Sequence, residues 1–257
     1  MSGADIAIVR EVARAIERCE LTFVERSAID YQRAAAQHHD YCQRLQALGL
    51  QVVRLPADES HPDCCFVEDT AVVLDEVAII TTLGSPSRRG ETPAIEAELG
   101  KHRRIERIQW PATLEGGDVL VVGRRILVGE TTRTNAAGIA ALRRIAGPHG
   151  YDVVSLRVPG CLHLKSALTA LNDDTLLANR AYFDSGDIGS LRIIDVAPEE
   201  PGAANVLRVR HQLWAHASHV LTLERVTRAG FTVLQVDISE FVKAEAALTC
   251  LSLLFRR

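Results

Sequence analysis

Five strand-like units recur along the chain, and each begins where a polar residue enters an apolar run. The five entry points are Glu68 in EDTAVVL, Glu115 in EGGDVLVV, His163 in HLKSALTAL, Asn205 in NVLRV and Cys250 in CLSLLF. Successive entry points are separated by 47, 48, 42 and 45 residues. Repeats of roughly 20–50 residues are typical of propellers and solenoids, in which each unit buries its apolar face against the next. The spacing therefore predicts a repeat architecture of five units.

Strands and helices alternate in a pattern that indicates an α/β fold. Helical spacing of apolar residues covers the segment from Asp30 to Leu48, the segment TNAAGIAALRRIAGPHG with Thr134 as N-cap, and the segment from about Ser218 to Gly230. Surface loops are predicted at 184–190 and 197–203. Short aliphatic and β-branched runs predict strands LQVVRL (50–55), VAIITT (77–82), DVLVVG (118–123), RILVG (125–129), VVSLRV (153–158), LRIIDV (191–196) and FTVLQVD (231–237).

Composition excludes several classes of partner. The chain has 257 residues, of which 47% are hydrophobic and 24% charged, as in globular proteins that bury a core. Its 29 Lys and Arg against 33 Asp and Glu give a net charge of −4, so no basic field would attract nucleic acid or anionic lipid. The first residues lack the order of a signal peptide, and no apolar run approaches a membrane span. We expect a cytosolic protein with neither nucleic acid nor membrane as partner.

The cysteines favour a reduced protein without a structural metal. The 6 cysteines are too sparse for a disulfide scaffold, and no C-x-x-C pair provides a zinc spacing. Cys161, His163 and Cys250 could bind zinc, but Cys-x-His is not a recurrent spacing of structural zinc sites. We therefore predict no metal.

Two clusters of acids lie beside predicted strands. Asp63, Glu68 and Asp69 fall within HPDCCFVEDTAVVL, and Glu115 and Asp118 flank a Gly-Gly pair. Buried carboxylates need cations or hydrogen-bond donors, so these acids could cap turns or pair with basic residues of the chain, namely Arg88, Arg89 and Arg133. Convergence of several acids with a cysteine and a histidine is better explained by a site for a cationic ligand.

Seven motifs in order carry a specific resemblance. They are HPDCCFVEDTAVV, SRRGET, TLEGGDVLVVG, GETTRTNAAG, HLKSALTAL, AANV and LTCLS. From about Leu21 to the end, the chain resembles dimethylarginine dimethylaminohydrolase, in the guanidine-modifying superfamily that also includes arginine deiminase and the arginine amidinotransferases. The resemblance implies an α/β-propeller of five ββαβ blades with pseudo-fivefold symmetry. It also implies a single catalytic domain over residues 1–257 and no cofactor.

The resemblance assigns the reacting groups. Cys250 matches the family's nucleophile, His163 its general acid and base, and Glu115 the carboxylate beside the histidine and the substrate guanidinium. A guanidinium is a planar, resonance-stabilised cation, so the site must hold it between carboxylates while a soft nucleophile attacks its central carbon. A free thiol ionises only near pH about 8.5, so we hypothesise that the bound cation itself favours the thiolate.

The substrate contacts follow from the same resemblance. Asp69 matches the residue that holds the guanidinium nitrogens, with Glu68 and Asp63 beside it in a polar network. Arg88 and Arg133 match positions that bind the α-carboxylate of the substrate.

The α-ammonium is expected at backbone carbonyls of Leu21 and Ala244. Close to these positions the chain departs from the family pattern, since Glu245-Ala246 replaces an expected Asp-Gly pair ahead of the nucleophile. The lid near residues 21–27 is also poorly matched. These departures concern which guanidine substrate is preferred.

The leading hypothesis is hydrolysis of Nω-methylated arginine to citrulline and methylamine or dimethylamine. Hydrolysis of unmodified arginine is the nearest alternative, although arginine deiminases of this fold carry a helical insertion for which 257 residues leave no room. A catalytically silent protein that binds arginine-like ligands or zinc is the alternative from another class. The small-molecule substrate is the expected partner, and association into a homodimer is left open.

Overall fold

The computed structural model describes residues 3–184 and 188–257, and its strands form five separate sheets of three strands each. The predicted five-bladed α/β-propeller is confirmed. In chain order the strands are β1 (Ile6–Arg10), β2 (Gln51–Leu55), β3 (Ala71–Val73), β4 (Val77–Ile80), β5 (Arg104–Arg107), β6 (Val119–Val122), β7 (Arg125–Glu130), β8 (Asp152–Arg157), β9 (Leu168–Ala170), β10 (Thr175–Ala178), β11 (Arg192–Asp195), β12 (Val206–Val209), β13 (Gln212–His216), β14 (Val233–Val236) and β15 (Leu253–Phe255).

Each blade repeats one pattern of pairing. In the third blade β6 and β7 form an antiparallel hairpin, with Val119 opposite Val128, and β8 then pairs parallel to β7. A parallel partner requires a crossover, which helix α3 (Ala136–Ala146) supplies between β7 and β8.

The helices are α1 (Tyr31–Ala47), α2 (Thr92–Leu99), α3 (Ala136–Ala146), α4 (Leu164–Ala167), α5 (Val220–Arg228) and α6 (Ser239–Val242). No helix in the described ranges is long and apolar enough to cross a membrane.

The first blade joins the two ends of the chain. β1 pairs antiparallel with β15, placing Ile6 opposite Phe255, and pairs parallel with β2 on its other side. The C-terminal strand therefore closes the ring of blades. Because Cys250 lies just before β15, this closure also fixes the position of the candidate nucleophile.

Apolar strand residues fill the space between blades. One core cluster packs Ile6 and Ile8 of β1 against Val73 of β3, Ile80 of β4 and Leu253 of β15, all of them buried. Such side chains each contribute about 1.5–3 kcal/mol when removed from water, so contacts between blades hold the ring together.

One predicted helix start is wrong by one residue. Asn135, rather than Thr134, is the N-cap of α3, since its side chain accepts a hydrogen bond from the Gly138 amide. The Thr134 hydroxyl instead donates to Asp118 in the interior at 2.6 Å. A buried carboxylate needs this donor, which overrides the local capping preference. Of the predicted loop at 184–190, residues 185–187 lie outside the described ranges.

Candidate active site

The five repeat anchors stand at equivalent places in the fold. Each directly precedes or lies in the turn that leads into the first strand of a blade: β3, β6, β9, β12 and β15. Hydrogen bonds join them across the ring. Asn205 Nδ2 donates to Thr249 Oγ1 at 3.0 Å, and the Thr249 hydroxyl donates to Glu68 Oε2 at 2.7 Å. The repeat thus collects polar side chains at one end of the blades.

The Gly-Gly pair of TLEGGDV allows two of these turns to touch. A Cβ on Gly116 would lie 1.9 Å from the carbonyl oxygen of Glu68, and one on Gly117 would lie 2.6 Å from His163 Nδ1. Without side chains here, the Gly117 amide can donate to Asp69 Oδ1 at 3.0 Å. The two glycines therefore permit the close approach of the acid, the histidine and the backbone.

His163 and Glu115 form a buried ion pair. The ring nitrogen Nε2 lies 2.7 Å from Glu115 Oε2, while Nδ1 lies 3.8 Å from Asp69 Oδ1. Burial alone would lower the pKa of His163, but the charges of Asp69 and Asp118 and the bond to Glu115 raise it to about 9. Burial would raise the pKa of Glu115, yet the bond to His163 and nearby arginines hold it at about 2. His163 is therefore a cation at neutral pH.

Asp118 supports the turn that carries His163. Its Oδ1 accepts the Leu164 amide at 2.9 Å, and its Oδ2 accepts the hydroxyls of Thr131 and Thr134. Burial raises the pKa of Asp118 to about 6, against the opposing effects of His163 and of these donors. Asp118 belongs to the second acid cluster of the sequence, but the family resemblance assigns it no role.

Asp69 is held in place by an arginine. Arg88 Nη1 donates to Asp69 Oδ2 at 2.7 Å, and Nε and Nη2 of the same guanidinium bind both oxygens of Glu91. Nη2 also donates to the carbonyl of Phe66. The suggested pairing of the acids with arginines thus holds for Asp69 and Arg88. Arg89, by contrast, stacks on Trp110 and binds a carbonyl oxygen.

Cys250 lies half-buried in a 3₁₀ turn, Leu248–Leu251, where its Sγ accepts the Ala247 amide at 3.4 Å. Burial raises the pKa of the thiol, and the charges of Glu68 and Asp69 raise it further, while Lys165 opposes them. The thiol form is therefore strongly favoured when no cation is bound.

A small cavity brings most of the predicted residues together. Among the candidates, the structure places Cys250, His163, Asp69, Asp63, Arg88, Arg133 and Ala244 in its wall. The other lining residues were not predicted from the sequence to belong to the site: Glu20, Phe66, Leu162, Glu245 and Ala246. In the sequence, Glu245 and Ala246 stand out only as departures from the family pattern. The remaining three carried no signal in the sequence.

Three predicted residues lie outside that lining. Glu115 is fully buried and contacts two lining residues, His163 and Arg133. Glu68 pairs with Lys165 at 2.6 Å and lies beside the nucleophile turn through Thr249. Leu21 follows the lining residue Glu20, whose amide binds Asp63. Lys165 could have been suspected because it stands two residues after His163.

Arg133 connects the cavity to the N-terminal segment. Its Nη2 donates to the Thr22 hydroxyl at 3.1 Å, and its Nη1 lies 3.6 Å from Glu115 Oε1. The Glu115 Oε1 atom also accepts the amides of Gly84 and Ser85. Arg133 is thus held by one anion and one neutral hydroxyl, which leaves it able to bind a further carboxylate.

In the described part of the chain, one group of side chains could hold a metal ion: Asp69, Glu115 and His163, with ligand atoms within 4.8 Å of one another. Each of these already has an internal partner, since His163 binds Glu115 and Asp69 binds Arg88. Cys161 and Cys250 do not join this group, and Cys161 Sγ donates to the His163 carbonyl. The alternative of a zinc site at Cys161, His163 and Cys250 therefore finds no support in the geometry.

Comparison with known proteins agrees with this arrangement. The family model described as N,N dimethylarginine dimethylhydrolase, eukaryotic, matches residues 8–178. A relative from Pseudomonas aeruginosa named N(G),N(G)-dimethylarginine dimethylaminohydrolase is 37% identical over 88% of this chain and 90% of its own length. This chain belongs to the dimethylarginine dimethylaminohydrolase family. A Streptomyces coelicolor protein with the same name is 40% identical over 97% of this chain and 96% of its own length.

Solved structures of the family superpose closely. The Pseudomonas aeruginosa enzyme, as a cysteine-to-serine variant complexed with citrulline, matches with a TM-score of 0.93 and 35% identity, covering 98% of this chain and 100% of that one. A histidine-to-glycine variant described as an adduct with S-methyl-L-thiocitrulline matches equally well, with the same TM-score of 0.93. The fold and the family resemblance proposed from sequence are confirmed.

Proposed function

We propose that this chain hydrolyses Nω-methylated arginine to citrulline and methylamine or dimethylamine through a covalent S-alkylthiouronium on Cys250. The observation that carries the proposal is the cavity wall shared by the Cys250 thiol, the His163 imidazole and the Asp69 carboxylate. A thiol nucleophile, a protonated acid and an anionic clamp are the three groups that cleavage of a guanidinium requires.

The guanidinium would bind against Asp69, whose Oδ1 faces His163 Nδ1 at 3.8 Å. Because His163 Nε2 is occupied by Glu115, Nδ1 is the ring nitrogen available to the substrate. The bound cation would offset the charges of Glu68 and Asp69 that raise the pKa of Cys250. The thiol proton would leave to solvent as the cation binds, because His163 already carries its own proton. Attack of the thiolate on the central carbon then forms a carbon–sulfur bond, opens the carbon–nitrogen π bond and gives a neutral tetrahedral adduct.

His163 would then donate its proton to the departing nitrogen, and its pKa of about 9 keeps that proton available at neutral pH. Loss of the amine leaves the thiouronium, and the neutral imidazole takes a proton from the attacking water. Collapse of the second adduct breaks the carbon–sulfur bond, releases citrulline and returns the thiol.

The amino-acid end of the substrate would lie toward Arg133, Leu21 and Ala244. Arg133 is the better placed of the two predicted arginines, because most donors of Arg88 are already engaged with Asp69, Glu91 and Phe66. Arg88 retains a position in the cavity wall, where one further N–H of Nη1 could reach a carboxylate.

We also infer that the protein works in the cytosol, a reducing compartment in which its free cysteines would stay reduced.

The deciding experiment measures citrulline from asymmetric dimethylarginine, monomethylarginine and unmodified arginine under the same conditions. Faster turnover of the methylated compounds is expected. Preference for unmodified arginine would instead establish a deiminase, and binding of all three without citrulline would establish a silent binding protein.

A further inference from the structure

The segment of residues 20–23, here called the lid segment, is tied down along the edge of the cavity. The Glu20 amide donates to Asp63 Oδ2 at 3.1 Å, and the Ser87 hydroxyl donates to Glu20 Oε1. The Thr22 hydroxyl accepts a hydrogen bond from Arg133. The contacts with Asp63 and Arg133 join the lid segment to side chains of the cavity wall.

One carboxylate binds the lid segment twice. Glu245 Oε2 accepts the Thr22 amide at 2.7 Å, and Oε1 of the same side chain accepts the Phe23 amide at 2.9 Å. Two successive amides on one carboxylate are charge-assisted bonds with a defined direction. No other side chain in residues 3–184 and 188–257 accepts a hydrogen bond from either amide.

Glu245 holds this position in an unfavourable backbone conformation. Its φ is 58°, in the left-handed region, three residues after the end of α6. The Ala246 amide bonds to the Phe241 carbonyl and the Glu245 amide to the Val242 carbonyl, which is the Schellman pattern that usually takes glycine at this point. A glutamate at this φ has a less favourable backbone free energy than glycine, but only the glutamate has a side chain that contacts the lid segment.

We propose that Glu245 is a positioning residue that latches the lid segment and thereby sets the affinity for the amino-acid end of the substrate. The inference rests on the proposed function for the identity of that substrate. Leu21 and Ala244, whose carbonyls are expected to receive the α-ammonium, each precede a residue joined by the latch. The bond between Glu245 and Thr22 therefore fixes the spacing between the two carbonyls.

The latch is also connected to Arg133, the residue proposed to bind the α-carboxylate of the substrate. Thr22 is bonded through its amide to Glu245 and through its hydroxyl to Arg133, so release of the amide would free a partner of that arginine. Cys250 lies five residues after Glu245, in a turn held by Asn205 and Ala247 rather than by the lid. The latch is thus expected to affect binding much more than chemistry.

The test compares Glu245→Gln and Glu245→Gly with Glu17→Gln, which removes the same charge from an exposed side chain outside the lid. In Glu245→Gln the side-chain oxygen can accept a hydrogen bond from one backbone amide, but the side-chain NH2 group then faces the other amide and cannot accept from it. In Glu245→Gly the latch is removed, and glycine suits the φ of 58°. Hydrogen exchange of the Thr22 and Phe23 amides is followed by NMR. Steady-state rates are measured with asymmetric dimethylarginine and with a dimethylated butylguanidine that lacks both α-groups.

Both Glu245 variants are expected to exchange the two amides at least about tenfold faster and to raise KM for dimethylarginine about tenfold. The value of kcat and the rate on butylguanidine should stay within about threefold, and Glu17→Gln should resemble the parent. Unchanged exchange of both amides would overturn the proposal. Equal losses on both substrates would also overturn it, because they would place the effect at the nucleophile. If the parent cleaves neither compound, the proposed function fails, and the exchange rates still decide whether the latch exists.

Discussion

His163 Nε2 lies 2.7 Å from Glu115 Oε2, and both side chains are buried, His163 in the cavity wall and Glu115 behind it. The pairing moves their pKa values apart, to about 9 for His163 and about 2 for Glu115. A raised pKa in the folded state stabilises the fold below the ordinary histidine value of 6.5, and this stabilisation is lost as the pH rises through about 9. The contribution of Glu115 is present above 4.5 and is lost as the pH falls through about 2.

Replacement of Glu115 by glutamine should lower the pKa of His163 by about one unit or more, because a neutral amide no longer favours the imidazolium. The alkaline limb of the kcat profile should move to lower pH by the same amount. NMR titration of the His163 ring measures the shift directly. Glu59→Gln, which alters a carboxylate that binds the Arg14 and Ala15 amides instead, is the control. An unchanged pKa of His163 in Glu115→Gln would show that the ion pair does not raise that pKa.

Cys250→Ser should abolish turnover and leave the fold intact, since a hydroxyl is a far weaker nucleophile than a thiolate. Cys64→Ser is the matched control, because the Cys64 sulfur binds the Asp58 amide and the Glu11 carbonyl, contacts that a hydroxyl can keep. Citrulline production and thermal unfolding are measured for both. Residual activity of Cys250→Ser within tenfold of the parent would remove Cys250 from the mechanism.

Gly117→Ala should reduce activity by about 10²-fold or more, because its Cβ would lie 2.6 Å from His163 Nδ1 and 2.8 Å from Asp69 Oδ1. Gly147→Ala is the control, since nothing lies within 4 Å of the added carbon. The measurements are kcat, KM and the melting temperature of each variant. If Gly117→Ala keeps full activity, the approach of His163 to Asp69 is not needed for catalysis.

Arg133→Lys and Asp69→Asn should both weaken binding, but at opposite ends of the substrate. A lysine replaces a planar fork by a point charge at the carboxylate, whereas asparagine removes a charge from the guanidinium clamp and from the Arg88 pair. A guanidine without the α-carboxylate should be indifferent to the Arg133 change and still sensitive to the Asp69 change. Equal sensitivity of both variants to this ligand would reverse the proposed orientation.

Alkylation of Cys250 by a neutral reagent should be slow at pH 7 in the empty enzyme, because burial and the charges of Glu68 and Asp69 raise the pKa of the thiol. A small, unreactive guanidine that leaves the sulfur accessible should accelerate alkylation by lowering that pKa. The rate is followed across pH with and without the guanidine. An apparent pKa well below 7 in the empty enzyme would instead indicate a preformed ion pair with His163.

Sequence alone determined the architecture and the chemical type of the site. The spacing of Glu68, Glu115, His163, Asn205 and Cys250 reflects a repeated blade, since each of them lies at the turn before the first strand of its blade. The strand runs were recognisable because buried strands need aliphatic side chains and their boundaries need turn residues. The ordered motifs then specified the family.

Tertiary structure decided the partners of each charged group. Residues 22 and 245 are separated by 223 positions in the chain, and their bond exists only because the ring of blades brings the two segments together. Likewise, Arg88 binds Asp69 although strands β3 and β4 lie between them in the chain, and the Thr134 hydroxyl donates to Asp118 instead of capping α3. Local patterns encode burial and periodicity, whereas hydrogen-bond partners of buried charges depend on which distant segments share the same low-dielectric space.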